Sequence, residues 1–328
     1  MKKLMNAADT MLAESLDGFA AAHADIVTLG AARKFVRRRV LTPGKVALIS
    51  GGGSGHEPLH TGFVGRGMLD AACPGQVFTS PTPDQIVEAI EAVDTGAGSL
   101  LIVKNYEGDV MNFEMAAEVA GDHVVATVVT DDDVAVPNST WSTGRRGVAG
   151  TLVVEKILGA AAEQSMGLGE LQQLGRDVNA RTRSMGVALT SCTVPAAGKP
   201  TFPLADDEME MGVGIHGEPG RKRTRLATAD AIAEDMLEAI LADLAPSVGS
   251  ECLLLVNGFG GTPSMELYVM VNVARRIMAG HGLVVARYLT GALVTSLDMA
   301  GCSVTVTVLD ATTMRLWDAP VKTAALSW

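Results

Sequence analysis

The sequence predicts a two-lobed α/β fold with mostly parallel or mixed sheets flanked by helices. Three observations predict it. Short apolar runs alternate with segments of helical spacing. Two of these runs end in glycine turns, at 51–55 and 258–261. The pattern then restarts near residue 185, dividing the 328 residues into lobes of about 1–184 and 185–328. The composition agrees: 48% of residues are apolar but only 4% aromatic, as in a core of Val, Ile, Leu and Ala.

Each element has its own signal. "KVALIS" (45–50) reads as a buried strand opening into the glycine loop "GGGSGHEP" (51–58). "SLLIVKNYEGD" (99–109) reads as a strand and loop, with Asp109 placed to cap a helix over "VMNFEMAAEVA". "HVVATVVTDDD" (123–133) is a third strand, and "GTLVVEKILGAAAEQ" (150–164) has helical spacing. After the restart, "MGVALTSCTV" (185–194) reads as a strand and "VPAAGKPTFPLADDE" (194–208) as an irregular loop. "MEMGVGIHG" (209–217) reads as a strand. Ile232, Met236, Leu237, Ile240 and Leu244 mark an amphipathic helix over 228–244, with Thr228 as its cap. "CLLLVNGFGG" (252–261) is a strand and turn, and "SMELYVMVNVARRIM" (264–278) its helix. "LVVARYLTG" (283–291) and "CSVTVTVLD" (302–310) close the chain as strands.

Several function classes are excluded. With 26 basic and 37 acidic residues, the net charge of −11 repels nucleic acid and anionic membranes. Cys73, Cys192, Cys252 and Cys302 are too scattered for a zinc knuckle or a redox pair, and suit a reduced cytosol. Asp9, Glu14 and Asp17 interrupt the N-terminal segment, which is therefore no signal peptide. No apolar run approaches membrane-spanning length.

In sheets of this kind ligands sit beyond the carboxyl ends of the strands. The 51–58 loop lies at such an end, yet it fails the phosphate fingerprints. A P-loop needs Lys and Ser or Thr directly after its last glycine, where His56 and Glu57 stand. A dinucleotide loop needs a glycine at His56 or Pro58. Bare backbone ending in a histidine suits a small polar ligand, although a lone histidine is more often structural. In a strand over 209–216, Met209, Met211, Val213 and Ile215 face the core. Glu210, Gly212, Gly214 and His216 face the other way. That second face is cleared by two glycines and presents an imidazole at its end. Lys104 and Asp109 share a loop at another strand end. They read equally as a surface lysine with a helix cap or as a general base with its neighbour.

Taken together, several blocks resemble one family. They are "GGGSGHEPLHTGFVGRGMLDAACPGQVFTSPTPDQI" (51–86), "KNYEGDVMNFEMA" (104–116), "GRRGVAGT" (144–151), "TVPAAGKP" (193–200) and "MGVGIHGEPG" (211–220). They are similar to the dihydroxyacetone kinase substrate-binding subunit, usually called DhaK. The likeness continues through "TSLDMAG" (295–301) and "WDAP" (317–320). The resemblance implies the DhaK-type two-lobed fold and a homodimer. It implies that His216 binds a ketone covalently as a hemiaminal. It implies that Asp109 is the base for the terminal hydroxyl and that His56 assists. Gly53, Ser54, Gly55 and Lys104 match substrate contacts, and no metal ligand is implied.

The resemblance also implies parts outside this chain. The sequence stops at Trp328 and has no aspartate cluster for a Mg-nucleotide. A separate DhaL-type partner is therefore expected to hold Mg-ADP or Mg-ATP, fed by ATP or by a phosphotransferase-system relay, in the cytoplasm. The chain itself is expected to bind dihydroxyacetone and no cofactor. Two alternatives stay open: a longer ketose such as erythrulose as substrate, or a ketone sensor that signals to a regulator without catalysis.

Overall fold

The computed structural model describes residues 2–137 and 142–328. Two six-stranded sheets organise it. The first is built from β1 (Val27–Leu29), β2 (Val36–Arg38), β3 (Ala47–Ser54), β5 (Ala71–Val77), β6 (Ser99–Lys104) and β7 (Val125–Thr130), in the order β1-β2-β5-β3-β6-β7. Its β5, β3, β6 and β7 run parallel, with the antiparallel β1 and β2 at one edge. The second contains β8 (Thr182–Ala188), β9 (Glu208–Met211), β10 (Lys222–Arg225), β11 (Glu251–Gly258), β12 (Val284–Gly291) and β13 (Gly301–Leu309), in the order β10-β9-β8-β13-β11-β12. There only β11 and β12 are parallel neighbours. A small ribbon pairs β4 (Gly65–Arg66) with β14 (Lys322–Thr323).

Helices fill the layers between and outside the sheets. Of the first five, α1 (Met11–Ala22) packs near the β1 edge. Next, α2 (Pro83–Val93) and α3 (Glu107–Val119) cover one face of the first sheet, where Ile86, Ile90 and Phe113 meet Ile49, Leu101 and Val103. On its other face lie α4 (Gly150–Glu163) and α5 (Leu168–Ala180). The second sheet is covered by α6 (Ala229–Leu244) and α7 (Ser264–Gly280), while α8 (Ala311–Asp318) packs beside α4. Period-two side-chain alternation along β3 explains the split: Ala47 and Ile49 enter the α2/α3 core, and Leu48 enters the α4/α5 core.

The α4 layer is shared. Its residues from Gly150 to Ala162 are all buried, and it touches β3, β6 and β7 of one sheet and β8 and β13 of the other. Leu253 and Leu255 of β11 complete the same core as Leu100 and Ile102 of β6. A helix buried on all sides, with Glu155 and Lys156 its buried charged residues, sits at such a centre. Among the described residues no helix is long and apolar enough to cross a membrane. The four cysteines are free and buried.

Three local expectations are corrected. The strand expected over 209–216 ends at Met211, because Gly212 turns the chain at φ +77°. Val213 and Ile215 are still buried, but His216 stands in a turn rather than on a strand face. Asp109 is not a cap: α3 begins at Glu107 after Tyr106, and Asp109 lies in its first turn. The strand expected to stop at Ser50 continues through the glycines to Ser54. The predicted Thr228 cap is present, accepting the Ala231 amide at 3.3 Å.

Candidate active site

The carboxyl ends of β3, β5 and β6 meet the 212–220 loop of the second sheet, and a cavity of about 570 Å³ opens there. Gly53, Phe78, Thr79, Ser80, Tyr106, Gly108, Asp109, Asn112 and His216 line it. The glycines of β3 make this convergence possible. A Cβ on Gly52 would sit 2.2 Å from the Lys104 Nζ, and one on Gly53 would sit 2.6 Å from the Thr79 amide nitrogen. Gly55 turns the chain at φ +105° toward His56.

Four rings cluster on the histidine side, three of which, His216, Phe78 and Tyr106, line the cavity. His216 lies edge-on to His56 (4.7 Å between centroids), to Phe78 (5.2 Å) and to Tyr106 (4.6 Å). His56 stacks on Phe78 at 5.0 Å. The His216 ring is aimed by a single carboxylate. Its Nδ1–H donates to the Glu218 Oε1 at 2.8 Å, and its backbone N–H donates to Oε2 at 2.9 Å. In the neutral ring this leaves the Nε2 lone pair free. Burial alone would raise the Glu218 carboxyl, but His216 and the Arg146 guanidinium hold it down at about 2. Arg146 is itself buried, paired to Asp133 through Nε at 2.8 Å and to the Gly212 carbonyl at 2.7 Å. Glycine at 214 admits this pair, since a Cβ there would lie 2.0 Å from the Glu218 Oε2.

His56 is held in the opposite sense, by backbone. Its Nδ1–H donates to the Thr295 carbonyl at 2.8 Å, and Nε2 has no partner among the described residues. Burial, then the nearby His216 and Lys104, push its pKa well below the usual histidine value. His56 is thus a neutral ring with a free acceptor nitrogen.

Asp109 is 3% exposed and carries one free oxygen. Oδ2 accepts from the Lys104 Nζ at 3.2 Å, while Oδ1 has no partner among the described residues. A carboxylate with an idle oxygen at a cavity wall can take a proton. Lys104 is 1% exposed and does not line the cavity. It also donates to the Gly51 carbonyl at 3.3 Å and to the His60 Nε2 at 3.1 Å. Gly53 lines the cavity directly. The Ser54 hydroxyl is already given to the Gly75 carbonyl at 2.7 Å, and the Gly55 amide to Glu57 at 2.9 Å.

The structure therefore gathers His216, Asp109 and Gly53 around one cavity, with Lys104 behind Asp109 and the buried His56 ring packed against His216. Sequence reasoning missed Glu218, Tyr106, Phe78, Thr295 and the His60–Glu155 pair. Glu218 alone left a local signal, two places after His216 in "HGEPG". Among the described residues no group of three or more His, Cys, Asp or Glu could hold a metal ion.

The chain has clear relatives. A family profile described as the Dak1 domain matches residues 17–325. The PTS-dependent dihydroxyacetone kinase 1, dihydroxyacetone-binding subunit DhaK, of Listeria innocua is 51% identical over 94% of this chain and 95% of its own. Among solved structures, the dihydroxyacetone kinase operon co-activator DhaQ superposes with a TM-score of 0.90 at 34% identity, covering 95% of this chain and 97% of its own. The dihydroxyacetone kinase of C. freundii superposes with a TM-score of 0.89, also at 34% identity, over 99% of this chain but only 60% of the kinase chain. That kinase has also been solved in complex with AMP-PNP and Mg2+.

Proposed function

From the premise that the chain belongs to the Dak1 domain family, we propose that it is the dihydroxyacetone-binding subunit of a dihydroxyacetone kinase. It holds the ketone on His216 and presents a terminal hydroxyl to a phosphoryl donor on a separate DhaL-type partner. The observation that carries this reading is the His216–Glu218 pair beside the free oxygen of Asp109. One cavity thus offers both a nucleophile and a base.

The chemistry follows from the residues. The His216 Nε2 lone pair forms a bond to the ketone carbon. The carbonyl π electrons pass to its oxygen, which takes up a proton from solvent. The positive charge left on the ring is shared, through Nδ1–H, with the Glu218 carboxylate. Glycerol has no carbonyl and is rejected, a discrimination that hydrogen bonding alone would not reach. His56 accepts a hydrogen bond from a substrate hydroxyl at Nε2. Asp109 Oδ1 takes the proton of the terminal hydroxyl as its oxygen attacks phosphorus and the donor leaves. The products are the phosphate ester and a protonated Asp109. Anchoring the acceptor matters because phosphoryl transfer gains mainly from positioning and electrostatics.

The proposal places the nucleotide, Mg-ADP or Mg-ATP, on the partner, and takes the chain as a cytoplasmic homodimer with lobes meeting near residues 184–185. A co-activator role, as in DhaQ, needs only the adduct. The free Asp109 oxygen favours the enzyme. Crystals soaked in dihydroxyacetone should show continuous density from the ketone carbon to the His216 Nε2. Purified chain should turn over nothing until a DhaL-type subunit is added, with ATP or a charged relay protein. Adduct density on another residue, or turnover by the chain alone, overturns the proposal.

A further inference from the structure

Behind the cavity wall runs a second buried chain of polar groups. Glu155 lies on α4 and is fully buried. Its Oε1 is 2.6 Å from the His60 Nδ1. The His60 Nε2 is 3.1 Å from the Lys104 Nζ, which donates to the Asp109 Oδ2 at 3.2 Å. We infer that Glu155 is a positioning residue for the reaction, acting on Asp109 through His60 and Lys104.

The hydrogen positions force the direction of the chain. The Lys104 ammonium has three donors and three neighbours: the Gly51 carbonyl, Asp109 and His60. The His60 Nε2 must therefore accept, and the ring proton must sit on Nδ1. Nδ1 has two neighbours, the Ser50 hydroxyl at 3.0 Å and Glu155. The Ser50 hydroxyl proton goes to the Ile102 carbonyl at 2.6 Å, so its oxygen can only accept. Glu155 is thus the stronger acceptor that fixes both tautomer and ring angle. Burial pushes the Glu155 carboxyl up to about 8. Its other oxygen, Oε2, has no partner among the described residues. A proton there leaves Oε1 accepting, and the chain keeps its sense across neutral pH.

The consequence is that Lys104 is tethered from behind. It holds only the Oδ2 edge of Asp109 and leaves Oδ1 for the substrate. A tether from α4 is well suited to the task, since that helix is packed between both sheets and cannot shift alone.

This inference rests on the proposed function, and the experiment separates the two. The full chain is assayed with dihydroxyacetone and its nucleotide-bearing partner, and adduct formation is followed by NMR of ketone labelled at its central carbon. Glu155→Met fills the site with no more than a weak thioether acceptor; Glu155→Gln keeps an oxygen. Met should lower turnover by about tenfold to a hundredfold, as expected when a reacting group is misplaced by up to about 1 Å. Its melting temperature should hold or rise, since replacing a buried ionisable group by an apolar one of similar volume is often neutral or stabilising. Gln should retain turnover within about threefold of the parent, and the adduct should form in both. Where Met impairs folding, His60→Leu, which removes the acceptor facing Lys104, should cut turnover while sparing the adduct. Equal loss in Met and Gln, full turnover in Met, or loss of adduct in step with turnover overturns the inference. A parent protein with neither adduct nor turnover overturns the proposed function instead.

Discussion

Glu218 binds His216 twice with one carboxylate, at the ring Nδ1 and at the backbone nitrogen of the same residue. Ring orientation and main-chain position are therefore set together, and the lone pair at Nε2 is aimed by a group two residues away.

Glu218→Gln breaks this double contact. An amide has one accepting end, and its NH2 must face either the His216 backbone N–H or Nδ1. In the second case the ring proton moves to Nε2 and the nucleophile is lost. Adduct formation should slow by about tenfold to a hundredfold. NMR of the labelled ketone with the isolated chain measures it, and an unchanged adduct rate would count against the orienting role.

Asp109→Asn should leave the adduct intact and cut turnover at least about 100-fold, the low end for a lost general base. Equal losses in ketone binding and turnover, measured by titration and by coupled assay, would mark Asp109 as structural.

Two of the glycines on β3 should fail differently. Gly52→Ala pushes on the movable end of Lys104, 2.2 Å away. The fold should survive, with turnover falling as Lys104 leaves Asp109. Gly53→Ala pushes on the backbone at Thr79 and Phe78, within 2.8 Å. It should lose about 1–3 kcal/mol of stability. Thermal melts and assays of the two variants side by side distinguish these outcomes.

Glu155 gives the protein a pH dependence of known sign. Its carboxyl is raised in the fold, from 4.5 to about 8, chiefly by burial. The native state therefore binds a proton that the unfolded chain has released. The associated stability is fully present below about pH 4.5 and is lost as pH rises toward 8. Glu155→Gln removes this loss. Measured by denaturant unfolding, its stability relative to the parent should improve by a few kcal/mol between pH 5 and pH 8. A constant difference across that range would show that Glu155 does not titrate there.

Much of this was legible in the sequence, and the limits have physical causes. Apolar runs located β6, β11 and β13, and the spacing with a Thr228 cap located α6, because those signals are local. The 209–216 strand was misread because alternation continued in the burial of Val213 and Ile215 after Gly212 had turned the chain. His56 and His216 stood out through their glycine-rich neighbourhoods, and Asp109 through its place beside Lys104 at a strand's carboxyl end. The Glu155–His60 pair did not, since 95 residues separate its members and nothing near Glu155 marks it. Within "LVVEKIL" it reads as the polar stripe of an ordinary surface helix, whereas both Glu155 and Lys156 are fully buried.

The burial of α4 on every side bears on the order in which the protein can be made. The first sheet and its helices are complete once residue 180 has left the ribosome. One flank of α4 must then wait for β8, β13 and β11, the last strand of which ends at Leu309. During that interval a greasy helix surface is uncovered. A nascent chain halted there is a natural client for holdase chaperones. Once translation finishes, the shared layer ties both sheets into one cooperative unit, so heat or denaturant should unfold them in a single step rather than as two independent halves.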